Sequence, residues 1–232
     1  MLCDKRISLD PRLSRIAELV GTCECCADIG SDHGRLGAFL LQSGQCQRVV
    51  LTDISGASLS KARKLIALMD LEERTGFCVG DGALAIDCPV DAAVIAGMGG
   101  ETIRHILSQA PWTKAGNTLL LLQPMTKQED LRRWLNENGY AQSAERLVRD
   151  KDYLYPVFTV FGGEQPPLSA GEIYGGVDIE VDPLAGEYLD QRIRRLSQAE
   201  AGLLKGSGSE NRQRAEELGK IRKILMERRA DL

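Results

Sequence analysis

The chain has 232 residues, 43% of them hydrophobic, enough to bury the core of one large domain or of one domain with an appendage. Apolar runs such as LLLL at 119–122 are far shorter than a membrane span and the first residues lack a signal-peptide layout, so a soluble, cytoplasmic protein is expected. The net charge of −4 argues against nucleic-acid binding by the whole surface, but residues 190–232 carry eleven Lys and Arg against seven Asp and Glu, a basic end that fits either a phosphate-facing surface or the solvated face of a coiled coil.

Asp10 followed by Pro11 is a helix cap and first-turn pair. Leu13, Ile16, Ala17 and Val20 then recur at helical spacing until Gly21, which predicts an opening helix. From there strand-like and helix-like segments alternate. Strands fall near 25–29, 48–52, 76–79, 92–96 and 118–123, separated by helical patterns near 36–42, 59–69, 101–108 and 129–137. Strands rich in Val, Ile and Leu between amphipathic helices predict an α/β fold with a mostly parallel sheet covered on both faces.

After Gly139 the rhythm changes. Residues 144–148 and 154–161 are strand candidates joined by the polar turn Arg149-Asp150-Lys151-Asp152, so the sheet should end in an antiparallel hairpin. Residues 163–183, rich in Gly, Pro and acids, read as a linker or extended crossing segment. Beyond them Leu189, Ile193, Leu196 and Leu203, then Leu218, Ile221 and Leu225 after a break at 206–209, predict a C-terminal helical hairpin of coiled-coil character. The expected organisation is a sheet domain at 1–162, the segment 163–183, and a helical part at 184–232.

Seven cysteines, an odd number scattered along the chain, fit a reducing compartment better than a disulfide framework. Cys23 and Cys26 form one CxxC without the second pair a zinc ribbon needs, and Cys3, Cys46, Cys78 and Cys88 stand apart. They read as small buried hydrophobes, and no metal is expected.

The stretch DIGSDHG at 28–34 carries the most chemistry. An apolar strand leads into it and an amphipathic helix follows, as at a nucleotide-type cofactor site; Gly30 and Gly34 let backbone approach a ligand. The second and third glycines of a dinucleotide fingerprint are missing, which weakens a nicotinamide cofactor. Acids suit S-adenosylmethionine better: Asp28 and Asp32 for the ammonium of its methionine end, Asp53 at the next strand tip for the ribose hydroxyls, Asp81 and Gly82 for the adenine amino group. AGMGG at 96–100 implies something lying close against the backbone. No Asn or Asp with two prolines follows, the usual pair of acceptors for an exocyclic amino group. A ring nitrogen with a free lone pair needs no such acceptors, and Met98 with Gln123 and Pro124 is placed to flank a flat base. His33 either lines this site or makes a loop hydrogen bond, and His105 reads as structural.

In this order and spacing RLSRIAELV, ADIGSDHG, VLTDIS, GDG, IAGMGG and LLLQP resemble the bacterial tRNA (adenine(22)-N1)-methyltransferases, and the likeness runs through LVRDKDYLYPVF. The resemblance implies a Rossmann-like class I methyltransferase domain with a C-terminal helical, coiled-coil-like domain. It implies S-adenosylmethionine as methyl donor and N1 of a tRNA adenine in the D-arm region as acceptor. Its cofactor rim would be Asp28, Gly30, Asp32, His33, Asp53, Asp81, Gly82, Ala96, Gly97 and Met98, with Gln123, Pro124 and Tyr153 facing substrate. His33 and Gln123 are the catalytic candidates. Phosphate contacts would come from Arg6, Arg12, Arg15, Arg149, Lys151, Arg192, Arg194 and Arg195. The sequence departs from the family pattern at Ser31, Arg35 and Ser55-Gly56-Ala57, where members carry Thr, an aromatic and a Gly-Pro pair. Two other readings stay open: a small-molecule methyltransferase, and an RNA- or protein-binding module of the same fold without turnover.

Overall fold

The run Leu119 to Leu122 shows how this sequence builds a two-sided sheet. In the computed structural model, which describes residues 6–115, 117–206 and 208–232, it opens strand β5 (Leu119–Thr126). Successive side chains of a strand point to opposite faces, so Leu121 joins one core with Ile16, Leu36 and Leu51. Leu120 and Leu122 join the other with Ile103, Leu131 and Phe158. Strand β1 (Cys23–Ile29) divides the same way, Cys26 to the first core, Ala27 and Ile29 to the second. Helices α1 (Pro11–Val20), α2 (Arg35–Gln42) and α3 (Gly56–Leu68) cover the first face; α4 (Gly100–Gln109) and α5 (Gln128–Glu137) cover the second.

With β2 (Cys46–Asp53), β3 (Thr75–Val79), β4 (Ala92–Gly99), β6 (Tyr140–Asp150) and β7 (Tyr153–Gly162) the sheet has the order β3-β2-β1-β4-β5-β7-β6. Its first five strands are parallel, and β7 runs antiparallel to both β5 and β6. The order reverses between β1 and β4. Connections leave these two strands toward opposite faces, which opens a crevice beyond their C-terminal ends, where ligands bind in sheets of this type.

The expected elements are present, with longer strands. β1 and β2 begin at Cys23 and Cys46, whose polar neighbours hide the apolar run. The hairpin turn is only residues 151–152, with Lys151 at φ +54°. The segment 163–183 is not a bare linker: it holds α6 (Ala170–Gly175), started by a reciprocal Ser169–Glu172 capping box, and then follows the β6 edge. There Glu145 N–H donates to Val177 O at 2.9 Å, and Leu147 N–H to the buried Asp182 carboxylate at 2.8 Å. Cys26 and Cys46 are buried as expected, but Cys88 is exposed, and Cys3 lies outside the described residues.

Two long helices, α7 (Ala185–Leu204) and α8 (Ser209–Ala230), pack through Leu189, Leu196, Leu218 and Leu225 into a third core that also takes Leu147 and Leu154 of the β-hairpin. Beneath α7 lies a fully buried ion pair. Arg132 of α5 donates twice to the Glu145 carboxylate at 2.7 Å, and further to Ile173 O and Tyr188 Oη. Tyr188 donates onward to Gln128. Burial opposes charge on Arg132, and Glu145 and Tyr188 together outweigh it, holding the guanidinium pKa above its ordinary value. This network ties α5, β6, α6 and α7 together and orients the β5–α5 junction beside the crevice.

Candidate active site

The β1–α2 turn rises at the C-terminal end of a central strand. Gly30, Asp32 and Gly34 all take left-handed backbone, at φ +73°, +48° and +67°. The N–H groups of Gly30 and Ser31 donate to Thr52 O at 2.8 and 2.9 Å. Asp53 locks the turn from the neighbouring strand, one carboxylate oxygen accepting from Asp32 N–H at 3.1 Å, the other from Ser55 N–H at 2.8 Å. Each oxygen keeps a free lone pair.

The turn folds around a cleft of about 380 Å³, within the range of small-ligand sites. Asp28, Gly30, Asp32 and His33 line one wall, Ala96, Gly97 and Met98 the other, and Arg12 stands at the mouth. Asp28 is only 7% exposed. Burial pushes its carboxyl up to about 7; the Gly37 N–H opposes that and Asp53 adds to it. A buried acid that opens onto a cleft is an incomplete ion pair, and a cationic ligand completes it. Ser31 Oγ is buried in the same wall without a hydrogen-bond partner among the described residues, a second group awaiting one.

Three cofactor candidates lie beside the cleft rather than in its lining. Asp53 reaches it through Asp32, Gly82 is tied to β2 by the Thr52 hydroxyl at 3.3 Å, and Asp81 is exposed. The glycines of AGMGG separate in role. A Cβ on Gly100 would stand 2.6 Å from Lys127 O and one on Gly99 3.2 Å from Thr126 Oγ1, so packing explains both. Gly97, at φ +74°, alone meets the cleft.

Residues 9–158 match the methyltransferase-domain family. The chain belongs to that family. It is 28% identical over 184 residues to the Bacillus subtilis tRNA (adenine(22)-N(1))-methyltransferase, an alignment covering 79% of this chain and 75% of that one. The crystal structure of the B. subtilis m1A22 tRNA methyltransferase TrmK superposes with a TM-score of 0.84 at 26% identity, over 96% of this chain and 99% of the other. A Streptococcus pneumoniae structure in complex with S-adenosyl-L-methionine superposes with a TM-score of 0.81 at 26% identity, over 94% and 99%.

On the acceptor side of this methyltransferase cleft the structure redistributes several expected roles. Gln123 is fully buried, its amide oxygen accepting from Arg12 Nη1 at 3.0 Å and from Gly97 N–H at 2.9 Å. It is therefore a positioning residue that sets Arg12 and the Gly97 loop, not a side chain presented to substrate. Pro124 is buried behind it. Arg12, expected on the phosphate backbone, faces the cleft, and Arg15 is committed to Glu18 and Asp182. The hairpin tip rises at the same sheet edge as the cleft, with Tyr153 56% exposed and Lys151 exposed beside it. Arg149 there is paired with Glu187.

Helical geometry divides the three arginines of α7. Arg192 is buried, holding Tyr174 O and Glu129; Arg194 and Arg195 are exposed on different faces. Arg192 thus supports packing instead of meeting substrate. His33 is half exposed, 3.6 Å from Asp32 Oδ1 and 3.2 Å from Lys61 Nζ. His105, expected to be structural, is exposed and 3.9 Å from Asp81. Sequence reasoning also passed over Ile54 and Leu84, 77% and 57% exposed on the loops beside Asp53 and Asp81, apolar surface suited to a flat base. Among the described residues no His, Cys, Asp or Glu group is placed to hold a metal, and no helix is long and apolar enough to cross a membrane.

Proposed function

We infer that this methyltransferase is a cytoplasmic enzyme that transfers a methyl group from S-adenosylmethionine to N1 of the adenine at position 22 of tRNA. The observation that carries the reading is the buried Asp28 beneath a cleft at the sheet's switch point, in a chain that matches a tRNA (adenine(22)-N(1))-methyltransferase over three quarters of that relative's length. The residues fit the donor. Asp28 and Asp32 supply negative charge for its ammonium, Arg12 a guanidinium for its carboxylate, Ser31 Oγ an open hydrogen bond, and Asp53 two lone pairs for the ribose hydroxyls. Ile54 and Leu84 offer faces to its adenine, with Asp81 at the amino edge.

Bound S-adenosylmethionine supplies an electrophilic methyl group on a sulfonium. The N1 lone pair forms the new C–N bond as the S–CH3 bond breaks; no proton leaves N1, so no strong base is required of the protein. Its residues act by placement. Gln123 fixes the Gly97 loop, and Met98 forms the wall against which the acceptor base is held. The positive charge that arrives on the base is met by the same acidic edge. An adenine at this depth must leave its stack, and the exposed Tyr153 at the hairpin tip is placed to meet the strand from which it flips. Residues 1–162 carry the chemistry and 184–232 grip tRNA.

The test is to incubate the protein with methyl-labelled donor and either unmodified tRNA or a metabolite extract. Label in tRNA supports the reading. Label confined to the metabolites, or donor binding without transfer, overturns it.

A further inference from the structure

A second groove, about 500 Å³, lies between the β5–α5 junction and the α7–α8 pair. Its floor is Leu196 and Leu218, and its walls carry Lys127, Arg195 and Arg214. Arg192, Arg195, Leu196 and Ala199 recur at helical spacing, so one stripe of α7 faces the junction while Arg194 turns away. The groove's carboxylates are already engaged: Glu129 by Arg192, Asp130 by Arg133 at 3.4 Å and more loosely by Lys127 at 4.0 Å. Arg214 is paired with Glu217 at 3.0 Å and also interacts with Tyr174; Arg195 has no hydrogen bond or ion pair to another described residue. In a protein of net charge −4 this is a local excess of cations over a shallow apolar floor.

The groove adjoins the cleft. Met98 pairs with Pro124 and Gly99 with Thr126 across a bulged stretch of β4 and β5, so the cleft wall at Gly97 and the groove wall at Thr126 lie at neighbouring positions on one sheet edge. We propose that this groove is a tRNA subsite that takes the phosphodiester backbone flanking the target adenosine, with Lys127, Arg195 and Arg214 as its phosphate contacts. The proposal rests on the tRNA reading above and adds to it the place where the strand leaving the cleft is held. The cations are matched to a polyanion because each phosphate they neutralise releases counterions.

The test is tRNA affinity of Arg195→Ala, Arg214→Ala and the double variant, measured against salt, with Lys64→Ala on the exposed side of α3 as a charge-matched control. Each groove variant should weaken tRNA binding about fivefold at ~0.15 M salt and lower the slope of log K against log salt by about 0.9. The double variant should lose about 25-fold in affinity with twice the slope change, Lys64→Ala should show neither effect, Arg195→Lys should restore binding, and donor affinity should stay at the wild-type value throughout. A double variant with wild-type affinity and slope, in a protein that methylates tRNA, overturns the subsite while leaving the function standing. A wild-type protein that binds no tRNA overturns both.

Discussion

Asp28→Asn should separate what one buried carboxyl does for stability from what it does for the donor. Burial lifts its pKa from 3.8 to about 7, and three units correspond to about 4 kcal/mol. The unfolded chain releases this proton near pH 4, while the folded chain keeps it up to about 7. Stability from this group is therefore full at low pH and is lost as pH rises, by about 4 kcal/mol at pH 7.5. The amide carries no such burden, so Asp28→Asn should melt several degrees above wild type at pH 7.5 and close to it at pH 4. Donor affinity should move the other way. An ionised Asp28 is what meets an ammonium, so wild-type affinity should rise about 50- to 100-fold between pH 5 and 7.5 and level off above. Calorimetric titration in buffers of different ionisation enthalpy should count close to one proton released at pH 6 in wild type and none in the variant. Equal pH dependence in the two proteins would refute the assignment of Asp28 to the donor's cationic end.

Arg12→Ala should weaken donor binding by about 10- to 100-fold, the worth of a hydrogen bond to a charged group, without altering the salt slope for tRNA; a change in that slope would move Arg12 to the phosphate backbone. Gly34→Ala should lower the melting temperature by several degrees, because its Cβ would stand 2.9 Å from Ala62 Cβ at φ +67°, a strain of about 1–3 kcal/mol; an unchanged melting temperature would contradict the turn geometry. Glu145→Ala should cost about 3–5 kcal/mol by leaving the buried Arg132 uncompensated, and Arg132→Met with Glu145→Leu should recover most of it; equal stability of the single and double variants in denaturant titration would sink that account of the network.

The sheet was legible because its strands announce themselves as short apolar runs, and the turns that matter end in Asp28, Asp53 and Gly97. What stayed hidden has physical reasons. Buried charge looks like surface charge in a sequence, so Arg132 and Glu145 gave no sign of pairing across thirteen residues, and Arg192 passed for a surface cation. Gln123 reads as a side chain aimed at substrate until the fold shows both hydrogen bonds its oxygen makes. Arg12 could be placed at the cleft only once α1 was packed against β5 and β6, with its guanidinium donating to Gln123. The Ser169-x-x-Glu172 signature of α6 was present but lay in a stretch whose Gly, Pro and acid content suggested a linker.

The central claim is that the acidic sheet edge aims a methyl group at a ring nitrogen. Its most direct measurement is the identity and position of the modified nucleoside after reaction with unmodified tRNA, read by chromatography and mass spectrometry of a full digest and of mapped fragments. The expected product is 1-methyladenosine at position 22. The isomer methylated on the exocyclic nitrogen, or a methyl group on another base, would contradict it.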